Sequence, residues 1–571
     1  MKPIRPLGAG AALVVIFLAI VPNMCAQEAT PPQHTGVPQD WSQHHIVFSR
    51  DALAQNPDLI DREPRILNQA MQRWQVPNFG VFQGADPLPA SVNEPAKDRD
   101  WNVNLAGRVP IDTFPAKFSY DPSAPPDCTN DYVVFGLASP ETAGTPGVNA
   151  NFVGFNDLYS TQPTAGGLCD TDGPSVLFAY NITTVTTGRI VTSPVLSENG
   201  KQIAFVESIP GPPAEAIFHV LTWTAGQGSI HAAALPTMTS VVLSSTANDT
   251  TSSPWIDYGT DTAYVATDDG VVYQITGVFT TTPTLSTSPW PIKLTTTSLS
   301  SPVLDANLGL LMVGGHDNGT LYQININSPS TAPVTLQVGY NRAGKVTPGI
   351  VAPPVVDITN GTTFVVSAYG DFTFGINNTF AAVLVQADTA TLGKTVLQVA
   401  NIGEGSTTGT HLSLYEPAFS NNYYSAPSSG VISLCGTGAS NTNPYQYAFG
   451  FTGIKMNAST PVISQELSTV ATDTCTGWTE FYNPNINSGV DFFFFGLTGD
   501  CTLLPGGTGV TTGCVVALSS DSTIPTTTAS VRGGPSGIVV DNYSTASQAS
   551  SIYFTAVGRQ TAYKFTQDGL H

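Results

Sequence analysis

The sequence predicts an all-β fold, a β-propeller, on three observations. The first is composition. The chain has 571 residues with 53 Gly and 44 Pro, and only 11% of it is charged. Many short strands joined by turns have that profile, whereas helices draw on Lys, Glu and Arg, which are scarce here. The second is a repeat. Ser-Pro at 193–194, 253–254 and 301–302 is each time followed by short apolar runs, with Val-Tyr-Gln-Ile at 272–275 matching Leu-Tyr-Gln-Ile at 321–324. The third is the content of each unit, about four strand-like runs, which is the signature of a propeller blade.

The elements follow in chain order. Residues 1–26 read as a signal peptide, with Lys2 and Arg5 ahead of an apolar run that ends near residue 21. That run is shorter than the roughly 20 residues of a membrane-spanning helix. The expected location is therefore secreted or periplasmic, with lipid anchoring at Cys25 as the alternative. Residues 27–100 form an arm with 16 charged side chains in 74 positions, against 43 in the 471 residues that follow. The arm opens on a Pro/Gln-rich stretch. The pattern of Ile66, Ala70 and Trp74 predicts one helix over residues 62–74.

Residues 101–571 form the ring. Its marker prolines are Pro122, Pro194, Pro254, Pro302, Pro354, Pro417, Pro484 and Pro535, which give eight four-stranded blades. The count is seven if the first unit is an irregular extension. Asp268-Asp269-Gly270 and Asp317-Asn318-Gly319 fall between the second and third runs, as hairpin turns do. Phe492 to Phe495 read as a strand buried on both faces. The last unit offers runs at 538–541, 551–557 and 561–565 but no fourth. A spare strand at 100–105 completes it, so an N-terminal strand clasps the ring shut.

Without Cys25, six cysteines remain, and an even number in an exported chain points to three disulfides. Fifteen pairings are open. Local position favours Cys128–Cys169 and Cys501–Cys514, with Cys435–Cys475 left by elimination.

The chain's net charge of −21 excludes nucleic acid as a partner, which needs a basic stripe. No later segment is long and apolar enough to span a membrane. Nucleophile elbow, P-loop, zinc-protease helix, haem and dinucleotide fingerprints are all absent. Of the eight histidines, His219, His231, His316 and His411 lie within the ring. Asp170, Asp172 and Gly173 resemble the start of a calcium loop, but its later ligands are missing, so a turn is expected. No metal and no cofactor is expected. Paired carboxylates for glycan cleavage need two acids facing each other across a cleft. Glu416 and Glu480, each close to a marker proline, are the candidates, and solvated loop acids are the competing reading.

The unit at 193–201, Ser-Pro-Val-Leu-Ser-Glu-Asn-Gly-Lys, resembles quinoprotein-like and YVTN-type propeller repeats. The stretches 114–121, 128–135 and 155–159 resemble a set of uncharacterised exported bacterial proteins. The resemblance implies a propeller and an extracytoplasmic address, with no established activity. Quinoprotein dehydrogenases carry an adjacent Cys-Cys pair and tryptophan docking motifs that this sequence lacks. The expected function is an exported binding or scaffold module, with a protein or glycan ligand at the channel mouth. The alternative is an extracytoplasmic enzyme, such as a glycan hydrolase or lyase or a divergent quinoprotein.

Overall fold

The computed structural model describes residues 46–48 and 99–566, apart from 112, 120–125, 213, 248–249, 340–348, 369–380, 406–412, 484–489, 521–525, 542–547 and 549–550. Its strands make eight sheets that follow one another along the chain, antiparallel apart from the pairing of Ile46–Phe48 in the first. The eight-bladed propeller of four-stranded sheets is thus the observed architecture.

Each blade starts with a short inner strand and steps outward. The inner strands are Ala116–Ser119, Val195–Leu196, Trp255–Asp257, Val303–Asp305, Val355–Asp357, Ala418–Phe419, Thr479–Asn483 and Val539–Val540. Inner strands of successive blades approach one another, which places them around a common axis. Six of them directly follow a proline (115, 194, 254, 302, 354, 417). Proline has no N–H to donate and belongs at the first position of an edge strand. Three markers are therefore corrected. In blade 1 the marker is Pro115, not Pro122. In blade 7, Trp478 holds the marker place and Thr479–Asn483 runs ahead of Pro484. In blade 8 the residue directly before Val539–Val540 is Ile538, with Pro535 three positions further back.

The residues around these prolines explain the repeat. The Phe114 N–H donates to Ser193 Oγ (3.0 Å), the Ser193 N–H to Ser253 Oγ (2.8 Å) and the Ser253 N–H to Ser301 Oγ (2.9 Å). Each serine thus ties its blade to the one before. One position earlier, Thr192, Ser252 and Ser300 accept the N–H of Val206, Ala266 and Gly314, in the second strand of their own blade. Blade 5 has Pro353 in the serine's place, and with no hydroxyl there the relay stops.

The apolar side chains fill the spaces between blades. One cluster joins Phe118, Phe152 and Phe178 of blade 1 to Ile203, Phe205 and Leu221 of blade 2. Another joins Phe492 and Phe494 of blade 7 to Ile552, Phe554 and Phe565 of blade 8. The strand Val490–Leu497 is buried at every position, as its unalternating sequence predicts. Both hairpin turns form, with Gly270 and Gly319 at φ +82° and +61°.

A strand from the N-terminal side of the ring completes the last blade. Arg99–Asn104 pairs antiparallel with Thr561–Thr566 as the outer strand of blade 8. Trp101, with no exposed surface, donates its indole N–H to the Leu158 carbonyl (2.9 Å) and packs between Phe155 and Tyr553. The arm boundary shifts by one or two residues, since this strand starts at Arg99. The predicted helix over 62–74 lies outside the described residues. What is described of the arm is a strand, Ile46–Phe48.

All three disulfides form in the favoured pairing. Cys128–Cys169 and Cys501–Cys514 each close a loop within one blade. Cys435 lies in the second strand of blade 6 and Cys475 pairs with Leu497 of blade 7, so the middle bridge links two blades.

Trp101→Ala removes the largest buried side chain of the closing strand. We expect it to lower stability by about 3–5 kcal/mol, measured by denaturant unfolding of the disulfide-bonded protein.

Candidate functional site

Among the described residues, the inner strand of a blade pairs with the second strand of that blade, and its other edge is turned to the axis. Such an edge is a template for a further strand. In blade 1 the template is filled. Ile46–Phe48 runs parallel to Ala116–Ser119, with Ile46 opposite Lys117, Val47 opposite Phe118 and Phe48 opposite Ser119. The arm thus reaches the axial edge of the ring, although some 50 residues separate it from the closing strand.

Beneath that edge lies a buried polar cluster at the seam between blades 8 and 1. Lys117 Nζ meets Asp541 Oδ1 at 2.8 Å and donates to Ser119 Oγ (2.7 Å) and the Tyr159 hydroxyl (3.2 Å). The Tyr159 hydroxyl donates to Asp131 (2.6 Å), and that of Tyr553 to Asp541 (3.1 Å). Lys564 pairs with Asp100, which also accepts from Thr566 Oγ1 (2.5 Å). Burial, reinforced by the neighbouring carboxylates, pushes both tyrosines up. Burial pulls the Lys564 ammonium down, against the opposing pull of Asp100. Lys117, Asp541, Tyr159, Tyr553 and Lys564 expose nothing. The cluster joins the first and last blades and offers no atom to a ligand.

Glu416 and Glu480 sit on the inner edges of adjacent blades, and both are buried, at 1% and 8% exposure. They are therefore not solvated loop acids. Glu416 precedes Pro417, and its carboxylate lies against Gly477, where a Cβ would come within 2.3 Å of Oε1. Its carbonyl accepts the Trp478 N–H (3.2 Å), so blade 6 is tied to blade 7 at this point. The structure brings Glu480 to Asp491.

Asp491 opens the second strand of blade 7. It hydrogen-bonds Glu480 and accepts the Asn421 N–H of blade 6 (2.9 Å). The hydrogen bond from Glu480 lowers the Asp491 carboxyl and opposes the larger effect of its burial. Burial raises Asp491, and burial with the two acids raises Tyr482. The sequence signal for Asp491 was one acid opening an otherwise apolar run. The two carboxyls of a glycosidase stand about 5 Å apart or more around a bound sugar. A directly bonded, buried pair leaves no such space.

The other sequence candidates scatter. His231 is exposed beside Asn149, and His316 bonds Asp317 (2.6 Å) at a hairpin. His34, His44, His45, His411 and His571 lie outside the described residues. Asp170 and Gly173 have positive φ in a turn. Among the described residues, one group has metal-ligand spacing, Cys128, Asp157 and Cys169, but its two sulfurs are joined in a disulfide. A small recess of about 10 Å³, room for no more than a water molecule, lies at the junction of blades 8, 1 and 2 and is lined by Val109, Phe114, Phe135, Thr192 and Thr555, among others.

No protein-family model and no curated protein matches the chain. Among solved structures, BamB from Moraxella catarrhalis is similar at 12% identity and a TM-score of 0.45, over 82% of this chain and 100% of that one. Sqt1 from Chaetomium thermophilum bound to the N-terminus of the ribosomal protein L10 is similar at 12% identity and 0.43, over 76% and 93%. The WD40 domain of Toxoplasma gondii coronin is similar at 10% identity and 0.37, over 64% and 78%. The fold itself rests on the strand topology.

The Asp491 carboxyl has a pKa raised above its ordinary 3.8 in the folded chain. The folded state therefore holds that proton more tightly than the unfolded state. Its contribution to stability is complete below pH 3.8 and is lost as pH rises through the raised value. Asp491→Asn stays neutral throughout. We expect its stability relative to wild type to rise between pH 4 and pH 8 in thermal melts; a constant difference would exclude the buried proton.

Proposed function

We propose that the protein is an exported binding module that takes an extended peptide segment of a partner protein along the inner edges of its blades. The observation that carries this reading is the strand Ile46–Phe48, seated in parallel on the axial edge of blade 1. An inner edge that accepts one extended segment through backbone bonds suits others, with side-chain pockets adding selectivity. Export is supported by the signal-like first 26 residues and by three disulfides, which persist in oxidising compartments. The acidity of the chain favours basic or neutral segments over acidic ones. The arm then acts as a resident occupant that a partner displaces.

Val47→Pro removes a strand N–H from the arm and should empty the edge. A labelled peptide of residues 42–51 should bind this variant of the mature chain in fluorescence anisotropy. It should bind wild type at least tenfold more weakly. Peptides selected from a library on the variant should compete with it. Failure of the variant to bind any extended peptide, or binding on a glycan array alone, would overturn the reading. Hydrolysis of a glycan that Glu416→Gln or Glu480→Gln abolishes would replace it with the enzyme reading.

A further inference from the structure

Away from the axis, at the outer rim of blade 2, three side chains form a hydrogen-bonded chain that ends in solvent. Glu207 is on the second strand, Gln202–Ile209, His219 on the third, Glu215–Thr222, and Ser240 on the outer strand, Thr237–Ser244. His219 pairs with Ser240 across the strands, and Glu207 is one diagonal step away on the same face. His219 Nε2 lies 3.0 Å from Glu207 Oε2, and His219 Nδ1 lies 2.8 Å from Ser240 Oγ. Glu207 and His219 are fully buried, while Ser240 is exposed.

The chemistry of the partners fixes the protons. Glu207 accepts at both oxygens, from the Thr184 N–H (2.9 Å) and the Thr184 hydroxyl (2.5 Å). Gly188 leaves room for it, since a Cβ there would stand 1.9 Å from Oε1. A carboxylate so placed can only accept, so His219 carries its ring proton on Nε2. The Nδ1 lone pair then faces the Ser240 hydroxyl. Phe205 packs on the imidazole with ring centroids 5.2 Å apart and holds it in that plane. A histidine held by a carboxylate on one ring nitrogen and by a serine hydroxyl on the other has the contact order of a serine triad, with the two nitrogens exchanged.

We propose that Ser240, His219 and Glu207 form a hydrolytic centre for carboxylic esters, with Ser240 as nucleophile, His219 as base and Glu207 as the positioning residue. The Ser240 oxygen attacks the ester carbonyl while its proton passes to His219 Nδ1. The bond from carbonyl carbon to the leaving oxygen breaks, and His219 returns the proton to the alcohol. Water then attacks the acyl-serine by the same route in reverse, releasing the carboxylic acid and free Ser240. Met238 and Val242 flank Ser240 on its face, Val242 with 51% of its surface exposed, and offer apolar contact to an acyl group. The open rim suits a small O-acyl group displayed on a larger molecule. The proposal is independent of peptide binding at the axis.

The test uses the mature, disulfide-bonded chain with a fluorophosphonate probe and p-nitrophenyl acetate. One adduct per chain is expected, mapped to Ser240, with turnover of the ester. Ser240→Ala, at an exposed position, should abolish both without altering the melting temperature. Glu207→Gln should slow labelling at least about 100-fold, because its amide can donate to Nε2 and move the ring proton to Nδ1. Thr239→Ala, on the opposite face, should leave the rate unchanged. Absence of an adduct at Ser240, absence of ester turnover, or an unchanged labelling rate in a folded Glu207→Gln protein would each overturn the proposal.

Discussion

A propeller blade has two apolar faces and can bury them only against its neighbours. Every other feature of this chain depends on the ring's being closed. The clusters that hold Phe118 with Phe205, or Phe494 with Phe554, exist only because the next blade is in place. At the seam that next blade is the first one, some 450 residues away in sequence. Closing so long a loop carries a conformational-entropy cost, which grows slowly with loop length. The strand Arg99–Asn104 meets that cost by covalent continuity: the segment that completes blade 8 leads directly into blade 1. Trp101 makes the link in packing as well, since it belongs to blade 8 and hydrogen-bonds blade 1.

The seam is also where the ring concentrates buried charge. Replacing a buried ion pair by apolar residues is often neutral or stabilising, so Lys117–Asp541 and Lys564–Asp100 are weak evidence for stability as such. Their selectivity is a different matter. A closing strand shifted by one residue would turn Asp100 away from Lys564 and leave a buried ammonium unpartnered. Eight similar blades offer many similar edges, and a pair that punishes misregister marks the correct one. Elsewhere the blades use neutral serine and threonine hydroxyls for the same kind of joint, at Ser193, Ser253 and Ser301. Those joints are repeated and interchangeable, whereas the seam is unique.

What the sequence made legible follows that division. The repeated joint is local, so Ser-Pro and the four runs after it could be read as blades, and the missing fourth run pointed to the closing strand. Pro122 misled because Pro115 begins blade 1 without the serine that marks blades 2, 3 and 4. Pro484 misled because Trp478 stands where six of the blades have their proline. The long-range polar partners carried no periodic signal. Lys117 finds Asp541 across the whole ring, and Asp491 finds Glu480 only once a hairpin has folded. Glu207, His219 and Ser240 looked like three unrelated polar residues because neighbouring strands bring them together at separations of 12 and 21 residues.

The seam cluster and the blade 2 chain are built from similar parts: a carboxylate, a basic side chain and a hydroxyl in hydrogen-bonded series. Their position on the blade sets their chemistry. At the seam the series runs inward to Tyr159 and Tyr553, both fully enclosed, so every proton stays between protein atoms. In blade 2 the series runs outward along one face of the sheet, from a buried carboxylate on the second strand to a hydroxyl on the outer one. Successive strands of a blade are successively less buried, so a polar chain laid across them has a protected, oriented end and a wet, reactive end. The same sheet geometry that hides charge at the closure can therefore present an activated group at the rim. The difference lies in whether the last strand of the series has another blade in front of it.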